Sequence, residues 1–216
     1  MIRAVIFDLD GTLVDAPSYN AVIIEKTMNS FGKKLRDEDI NLICYSNERD
    51  RVVRDIYNIE PKLFWDRLNM LDLPEVRRPF IEVYPDAVEV LQELVNRNYV
   101  LGIVTGSPRH IAEVSVGILG AHFFSAVVCA NPNNGLSRKP DPRGIEVCMA
   151  HLGVPAYKCV YIGNGGEDVE AAKSAKVLDV FLDRRQYDAA HIAASHKISS
   201  LTEVIHILDN KRVFTK

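Results

Sequence analysis

Two aspartates near the start of the chain are the first residues whose type and spacing suit chemistry. Asp8 and Asp10 lie in the segment DLDGT, residues 8–12, directly after the apolar run Ala4-Val5-Ile6-Phe7. Ligand sites in open α/β sheets form beyond the carboxyl ends of the strands, and a loop there lets both carboxylates face one crevice. The alternative, that they are turn or capping residues, would be favoured for one aspartate but not for this pair.

Two further clusters have residue types that suit a phosphate group. Thr105-Gly106-Ser107 follows a second apolar run, and a hydroxyl, a glycine and a helix N-terminus together can hold a phosphate. Its alternative is a simple N-cap turn. Lys139 is restricted to an extended conformation by Pro140 and could neutralise carboxylates and a phosphate together. Taken alone, it would be interpreted as a solvated loop lysine.

A fourth cluster, Gly163-Asn164-Gly165-Gly166-Glu167-Asp168, has oxygen-bearing side chains between glycines. The glycines allow close backbone approach, and the oxygens can reach a hard cation such as Mg²⁺. The alternative is a glycine-rich turn whose Glu167 and Asp168 stand in the first turn of a helix, where acids are favoured anyway.

Short apolar runs, each followed by a helical pattern, must position these clusters. Nearly continuous hydrophobicity over so few residues is typical of strands that are buried on both faces of a parallel sheet. Alternation of such strands with helices predicts an α/β fold with a doubly wound parallel sheet. The predicted strands cover residues 4–7, 100–104, 126–129, 159–162 and 177–182. Each of the four clusters follows the carboxyl end of one of the first four.

Helix signals support this pattern. Ser107-Pro108 and Asp141-Pro142 each predict an N-cap before a first-turn proline, and Gly153 predicts a helix end. The apolar faces are predicted to consist of Val88, Leu91, Leu94 and Val95 in one helix and of Leu201, Val204, Ile205 and Leu208 in the last helix.

One segment interrupts the alternation. Residues 16–82 contain four helical patterns, over residues 18–31, from about Asp37, over residues 49–57 and over residues 61–71, but no convincing strand. The sequence therefore predicts a core made of residues 1–15 and 83–216, with residues 16–82 inserted as a helical subdomain. Residues 73–79 are predicted to be the return linker.

Together, the four clusters resemble the haloacid dehalogenase-like (HAD) superfamily. The matching residues are DLDGT at 8–12, Thr105 in VTG, Lys139 in RKPDP, and Asn164 to Asp168 in an element similar to GDxxxD. The resemblance covers essentially the whole chain, and it implies a Rossmann-like core with an α-helical cap of the first type. The DLDGT motif is the most specific of the four.

The resemblance also implies a role for each matching residue. Asp8 would be the nucleophile that forms an aspartyl-phosphate, and Asp10 the general acid and base. Asp8 and the Asp10 carbonyl would bind Mg²⁺, with Asn164 and Asp168 completing the metal site. Thr105 and the Gly106 amide would hold the phosphoryl oxygens. Lys139 would balance the negative charge.

Asn164 departs from the family, which usually has an aspartate there. The amide oxygen can still bind Mg²⁺ but lacks a full charge, so we expect weaker metal binding. Three origins stay open: a natural variant with weakened metal binding, a change that disables the enzyme, or an Asn-Gly pair that restores the acid by deamidation.

The leading hypothesis is a Mg²⁺-dependent phosphatase acting on a small phosphate monoester, and the dehalogenase branch is disfavoured because Asp10 is present. The alternatives are a phosphomutase and a non-catalytic interaction protein. Three arginines in one helical pattern of the insert, Arg49, Arg51 and Arg54, could bind an anionic substrate, but a solvated helix face is the favoured interpretation.

Composition excludes other classes. The net charge is −3, without the basic excess of a nucleic-acid binder. No apolar stretch approaches membrane-spanning length, and the first residues do not resemble a signal peptide. The cysteines form no CxxC pair, which favours free thiols over a metal site. We therefore expect a cytoplasmic monomer or homodimer without nucleic-acid or membrane partners.

Overall fold

The short apolar segments form a six-stranded parallel sheet. The computed structural model describes residues 1–46 and 48–213. In chain order, the strands are β1 (Ala4–Phe7), β2 (Val14–Asp15), β3 (Glu82–Val83), β4 (Val100–Thr105), β5 (Ala126–Cys129), β6 (Cys159–Gly163), β7 (Leu178–Leu182) and β8 (His196–Ile198). The order of the large sheet is β5-β4-β1-β6-β7-β8, and β2 and β3 form a separate two-stranded sheet.

Helices follow most of the strands, and the predicted α/β fold with a parallel, Rossmann-like sheet is confirmed. The α-helices are α1 (Pro17–Ser30), α2 (Asp37–Tyr45), α3 (Arg49–Arg51), α4 (Pro61–Leu71), α5 (Pro74–Arg77), α6 (Pro85–Asn96), α7 (Arg109–Leu119), α8 (Arg143–Leu152), α9 (Gly166–Ser174) and α10 (Glu203–Val213).

Strand β1 lies inside the sheet, hydrogen-bonded to β4 on one side and to β6 on the other. All four of its residues are fully buried, which explains why its sequence is apolar without alternation. The sequence did not predict β8, whose His196-Lys197-Ile198 is short and mostly polar. Edge strands need less apolar character because one side of the strand is unpaired.

The predicted apolar face of α6 is wrong in two positions. Leu91 and Leu94 are fully buried, but Val88 and Val95 are 44% and 39% exposed. The buried stripe instead runs through Ala87, Val90, Leu91 and Leu94, because this i, i+3, i+4, i+7 set faces the core. In α10, Val204 and Leu208 are buried and Ile205 is half-buried, after a buried Leu201.

Helix starts and ends agree only in part with the sequence signals. The predicted N-cap at Ser107 is wrong, because α7 starts at Arg109 without a side-chain cap. The predicted N-cap at Asp141 is also wrong, because α8 starts at Arg143 and Pro142 is its N-cap, although the Asp141 carboxylate accepts a hydrogen bond from the Arg143 N–H at 2.9 Å. Gly153 ends α8 with a φ of +64°, a conformation that favours glycine.

The chain consists of two compact units. One contains Met1–Asp15, Val83–Arg184 and Ala189–Lys216, and the other contains Ala16–Glu82 with Arg185–Asp188. Residues 73–79 are not an irregular linker, since α5 and a 3₁₀ turn at Arg78–Phe80 occupy them.

The helical unit has its own core, in which Met28, Ile43, Val53 and Phe64 are fully buried. Its third predicted helix begins as α3 and continues as a π-helix over Val52–Ile56. No helix among the described residues is long and apolar enough to cross a membrane.

Candidate active site

Three of the predicted clusters begin where neighbouring strands end. Asp8 directly follows β1, Thr105 is the last residue of β4, and Asn164 directly follows β6. Phe7 is in register with Ile103 of β4 and with Ile162 of β6, so the three strands end within two residues of one another. Lys139 lies in the segment between β5 and α8 and reaches the same place by its side chain.

Lys139 lies between two buried carboxylates. Its Nζ is 2.5 Å from Asp8 Oδ1 and 2.5 Å from Asp168 Oδ1. The side chains of Lys139 and Asp8 are each 8% exposed, and that of Asp168 is 3% exposed. The structure therefore brings together one lysine and two acids from three clusters more than 20 residues apart.

Tyr161 completes this cluster and was missed by the sequence analysis. Its hydroxyl lies 3.0 Å from Asp168 Oδ1 and 3.2 Å from the Val104 carbonyl oxygen, and it accepts from Lys139 Nζ at 3.3 Å. The signal was a tyrosine in an otherwise apolar strand, since a buried tyrosine hydroxyl usually requires a polar partner.

The charges of this cluster depend on burial and on each other. Burial raises the pKa of Asp8 to about 7, against the lowering effect of Lys139 and with a further raising effect of Asp168. Burial acts to lower the pKa of Lys139, but Asp168 and Asp8 outweigh it and hold that pKa well above its usual value. The lysine is therefore charged, and Asp8 gains a proton near neutral pH.

Thr12 connects Asp8 with Asn164. Its hydroxyl lies 3.2 Å from Asp8 Oδ2 and 3.2 Å from Asn164 Oδ1, and its one proton can be donated to either oxygen. All three side chains are buried. Thr12 belongs to the DLDGT motif, but the sequence analysis gave it no role. The sequence alone does not show that Asn164, 152 residues further along, lies beside its hydroxyl.

This arrangement fits a hard divalent cation. Asp8 Oδ2 and Asn164 Oδ1 converge on one hydroxyl, and oxygen atoms of this kind are the donors that Mg²⁺ prefers. Among the described residues, no group of three or more His, Cys, Asp or Glu side chains could hold a metal. Of the two oxygens at Thr12, only that of Asp8 belongs to a group that can carry a full negative charge.

Asp168 has a different surrounding from the other predicted metal ligands. Its Oδ1 accepts from Lys139 and Tyr161, and its Oδ2 accepts from the Gly165 N–H at 2.9 Å. A Cβ at position 163 would overlap this carboxylate, so Gly163 is required for the close approach. These contacts favour a role in holding Lys139.

The same hydrogen bond bears on deamidation of Asn164. Deamidation at an Asn-Gly pair requires the backbone nitrogen of Gly165 to attack the Asn164 side chain. That N–H donates to Asp168, and Gly165 lies at the N-cap of α9. The hydrogen bond and the position at the helix start both restrain this nitrogen. The folded structure therefore disfavours deamidation as a way to place an acid at position 164.

Asp10 is held by the segment after β4. The Ser107 hydroxyl donates to Asp10 Oδ2 at 2.6 Å, and the Thr105 hydroxyl lies 3.5 Å from the same oxygen. The Ser107 N–H in turn donates to the Thr105 hydroxyl at 3.0 Å. Ser107 thus contacts Asp10 instead of capping α7, and Gly106 between them is half-buried.

A family comparison agrees with this site. The family model described as haloacid dehalogenase-like hydrolase matches residues 5–181, which include every predicted site residue. The chain belongs to this family. The predicted resemblance is confirmed, and so is the prediction that the chain is a hydrolase of this family.

Named relatives and a solved structure extend the comparison. The pyrophosphatase PpaX of Oceanobacillus iheyensis is 24% identical over 96% of this chain and 97% of its own length. A phosphoglycolate phosphatase of Xanthomonas campestris pv. campestris is 31% identical over 80% of this chain and 79% of its own. The structure of a HAD phosphatase from Thermococcus onnurineus superposes with a TM-score of 0.68 at 25% identity, covering 96% of this chain and 98% of that one.

Proposed function

We propose that the protein is a Mg²⁺-dependent phosphatase that hydrolyses a small-molecule phosphate monoester through an aspartyl-phosphate on Asp8. The observation that carries this proposal is the position of the Asp8 carboxylate, buried between Lys139 at 2.5 Å and the Thr12 hydroxyl at 3.2 Å. A buried carboxylate with one oxygen on a cation and one on a hydroxyl is fixed in orientation, as a nucleophile must be.

In the first step, Asp8 attacks phosphorus and the P–O bond to the leaving alcohol breaks. Asp10 gives its proton to that alcohol, and the Ser107 hydrogen bond holds the Asp10 carboxyl in place. Charge on the phosphoryl oxygens is met by Lys139, by the Thr105 hydroxyl and by the Gly106 amide at the end of β4. Mg²⁺, when bound, neutralises charge on the phosphoryl group.

In the second step, water replaces Asp8 on phosphorus. Asp10, now a carboxylate, accepts the proton of the water, and the products are inorganic phosphate and free Asp8. Residues that would hold the metal are Asp8, the Asp10 carbonyl and Asn164, with Asp168 supporting from its place on Lys139.

The substrate proposal rests on the relatives and on the sequence together. Both named relatives act, by their names, on small phosphorylated molecules, and a helical insert of residues 16–82 is proposed to be a cap that selects among such substrates. Arg49, Arg51 and Arg54 of this unit were weighed as an anion site. Arg51 pairs with Glu48, and Arg49 donates to the Ser46 carbonyl oxygen at 2.9 Å, which favours the solvated face. Cytoplasmic location and a monomer or homodimer remain predictions.

A metabolite panel tests the proposal. Purified protein is mixed with phosphate monoesters, including phosphoglycolate, and with pyrophosphate, in Mg²⁺ and in EDTA. We expect phosphate release that requires Mg²⁺, and a mass increase of one phosphoryl group on Asp8 after acid quenching. Formation of a phosphate isomer without release would indicate a mutase. If no ester is turned over by wild type or by Asn164→Asp, the phosphatase proposal is wrong.

A further inference from the structure

Arg184, two residues after β7, reaches the loop that contains the nucleophile. Its Nη2 donates to the Thr12 carbonyl oxygen at 2.8 Å. Its two terminal nitrogens also form a bidentate pair with Asp86, at 3.0 and 2.8 Å. The Arg184 side chain is only 10% exposed. In the sequence, Asp183-Arg184-Arg185 has the pattern of a charged surface turn, so this contact was not predicted.

Tyr84 packs against Arg184 and contacts the same loop. Its ring centroid lies 3.8 Å from Arg184 Cζ, within the range of a cation–π contact. Its N–H donates to the Leu13 carbonyl oxygen at 3.1 Å, and its hydroxyl donates to Asp15 Oδ2 at 2.8 Å. Arg184 and Tyr84 therefore fix the loop at Thr12, Leu13 and Asp15.

The other end of the pair is anchored as well. Asp86 Oδ2 accepts from the Ser200 hydroxyl at 3.0 Å and from the Leu201 N–H at 2.9 Å, just before α10. A bidentate arginine–carboxylate pair with further donors has a defined geometry. Arg184 is consequently held by Asp86, and its contact with Thr12 is fixed in place.

We propose that Arg184 is a positioning residue for the Asp8 nucleophile, acting through Thr12. The guanidinium holds the Thr12 backbone, and the Thr12 hydroxyl holds Asp8 Oδ2 and Asn164 Oδ1. This inference rests on the proposed function, because it assigns Asp8 as the nucleophile. A nucleophile displaced by about 1 Å can lose about a hundredfold in rate.

Kinetics of two substitutions test the inference. Arg184→Gln removes the positive charge. Arg184→Lys keeps the charge, but lysine lacks the planar guanidinium that donates to the Thr12 carbonyl and to both Asp86 oxygens at once. With p-nitrophenyl phosphate, or with the best ester of the panel, we expect Arg184→Gln to lower kcat by about 10–100-fold with KM changed less than about threefold. Arg184→Lys should lie between wild type and Arg184→Gln.

Arg97 supplies a matched control. Its Nη1 donates to both carboxylate oxygens of Asp209 in α10, at 2.9 and 3.1 Å, and its Nε donates to Glu93 at 2.6 Å. Arg97 precedes the amino end of β4, away from the strand ends that form the site. Arg97→Gln removes a similar ion pair, and we expect kcat to stay within about twofold of wild type, since exposed pairs contribute little.

A double substitution shows whether Arg184 acts through Thr12. In a Thr12→Val background, the hydroxyl that Arg184 positions is already absent. Arg184→Gln should then lower kcat much less than it does in wild type, because coupled residues are not additive. Fully additive losses would show that Arg184 does not act through Thr12, and the inference would be overturned.

Hydrogen exchange tests the contact without any activity. The N–H groups of Gly11 to Val14 are hydrogen-bonded within the loop, and we expect them to exchange faster in Arg184→Gln but not in Arg97→Gln.

If wild type is inactive on every ester, unchanged exchange in Arg184→Gln still overturns the inference. If wild type is active, unchanged kcat in Arg184→Gln overturns it and leaves the phosphatase proposal intact. If Arg184→Gln does not fold, the test uses Arg184→Lys instead. A kcat and an exchange rate equal to those of wild type in Arg184→Lys would then overturn the inference.

Discussion

Two buried aspartates, one in each unit, differ in the charge around them. Asp39 of the helical unit is 2% exposed and accepts from Arg36 at 2.6 and 2.8 Å and from the Tyr57 hydroxyl at 2.6 Å. Burial acts to raise its pKa, but the hydrogen bonds of Arg36 and Tyr57 outweigh burial, and the pKa is lowered. Asp8 is 6% exposed, yet its pKa is raised to about 7, with burial as the largest cause.

The difference has two causes, depth and charge balance: Asp8 lies deeper in the protein than Asp39, and it has less positive charge beside it. Asp39 accepts two hydrogen bonds from the Arg36 guanidinium, whose third nitrogen contacts the exposed Glu38, and this is the arrangement of a structural ion pair. Asp8 shares the single ammonium of Lys139 with Asp168, and Asp10 adds a third negative charge nearby. A site with an excess of buried acid can accept a cation and a phosphoryl group, and such perturbed groups are typical of functional sites. Two aspartates with similarly low solvent exposure thus have pKa values shifted in opposite directions, because Asp8 is deeper and shares its cation.

Exchanging each aspartate for asparagine separates these two roles most strongly. Asp8→Asn should lower kcat by about 10⁴-fold or more, because an amide cannot form the acyl-phosphate, while the melting temperature changes little. Asp39→Asn should leave kcat of the folded protein unchanged and lower the free energy of unfolding by about 1–2 kcal/mol, since Arg36 is half-exposed. Steady-state kinetics and denaturant unfolding measure the two effects. Wild-type turnover in Asp8→Asn would contradict the covalent mechanism.

Removing the shared cation is expected to have the next largest effect. Lys139→Met should lower kcat by about 10²–10³-fold, because charge on the phosphoryl group is no longer balanced. Asp8 and Asp168 then face each other without a cation, so the pKa of Asp8 should rise further. Lys62→Met, which removes an exposed lysine paired with Asp66 in α4, is the control and should leave kcat unchanged.

The raised pKa of Asp8 predicts the pH dependence of Mg²⁺ binding. A proton and the cation compete for the carboxylate, so below about pH 7 the apparent affinity should fall by about tenfold for each pH unit, and above it the affinity should level off. Titration calorimetry in buffers of different ionisation enthalpy measures the proton released on binding. Affinity independent of pH from 5.5 to 7.5 would show that Asp8 is already ionised or is not a ligand.

The smallest expected effect concerns the missing acid. Asn164→Asp adds one negative charge beside Asp8, and we expect the dissociation constant for Mg²⁺ to fall by about tenfold, within the about 1–3 kcal/mol of charge-assisted contacts. Asn96→Asp makes the same change on the exposed end of α6 and should not alter Mg²⁺ binding. An unchanged constant in Asn164→Asp would remove Asn164 from the metal site.

The sequence predicted the larger features of the fold. The five apolar runs appear as strands within one residue at each end, because a strand buried on both faces is apolar at nearly every position. The prediction failed at β8, where an edge strand carries His196 and Lys197, and on α6, where Val88 and Val95 lie beside the buried stripe. Composition at a single position does not reveal which side of a helix faces the sheet.

The candidate site shows the same division between local and long-range information. Asp8, Asp10, Thr105 and Lys139 could be named because each follows a predicted strand or stands beside a proline or glycine. Tyr161 and Arg184 were missed, and Ser107 was assigned to a phosphate cluster and a helix N-cap but not to its contact with Asp10. Each acts through a contact with a residue distant in sequence, namely Lys139, Thr12 and Asp10, and spacing along the chain does not encode such pairs.

The sequence by itself determined the order of strands and helices, the positions of the four clusters and the loss of an acid at Asn164. Only the tertiary structure decided that Asp8 and Asp168 share one lysine, that Thr12 joins Asp8 to Asn164, and that Arg184 holds Thr12. The physical reason is that hydrophobic periodicity is a local property, whereas the pKa of a buried group depends on every charge that folding brings within a few ångströms.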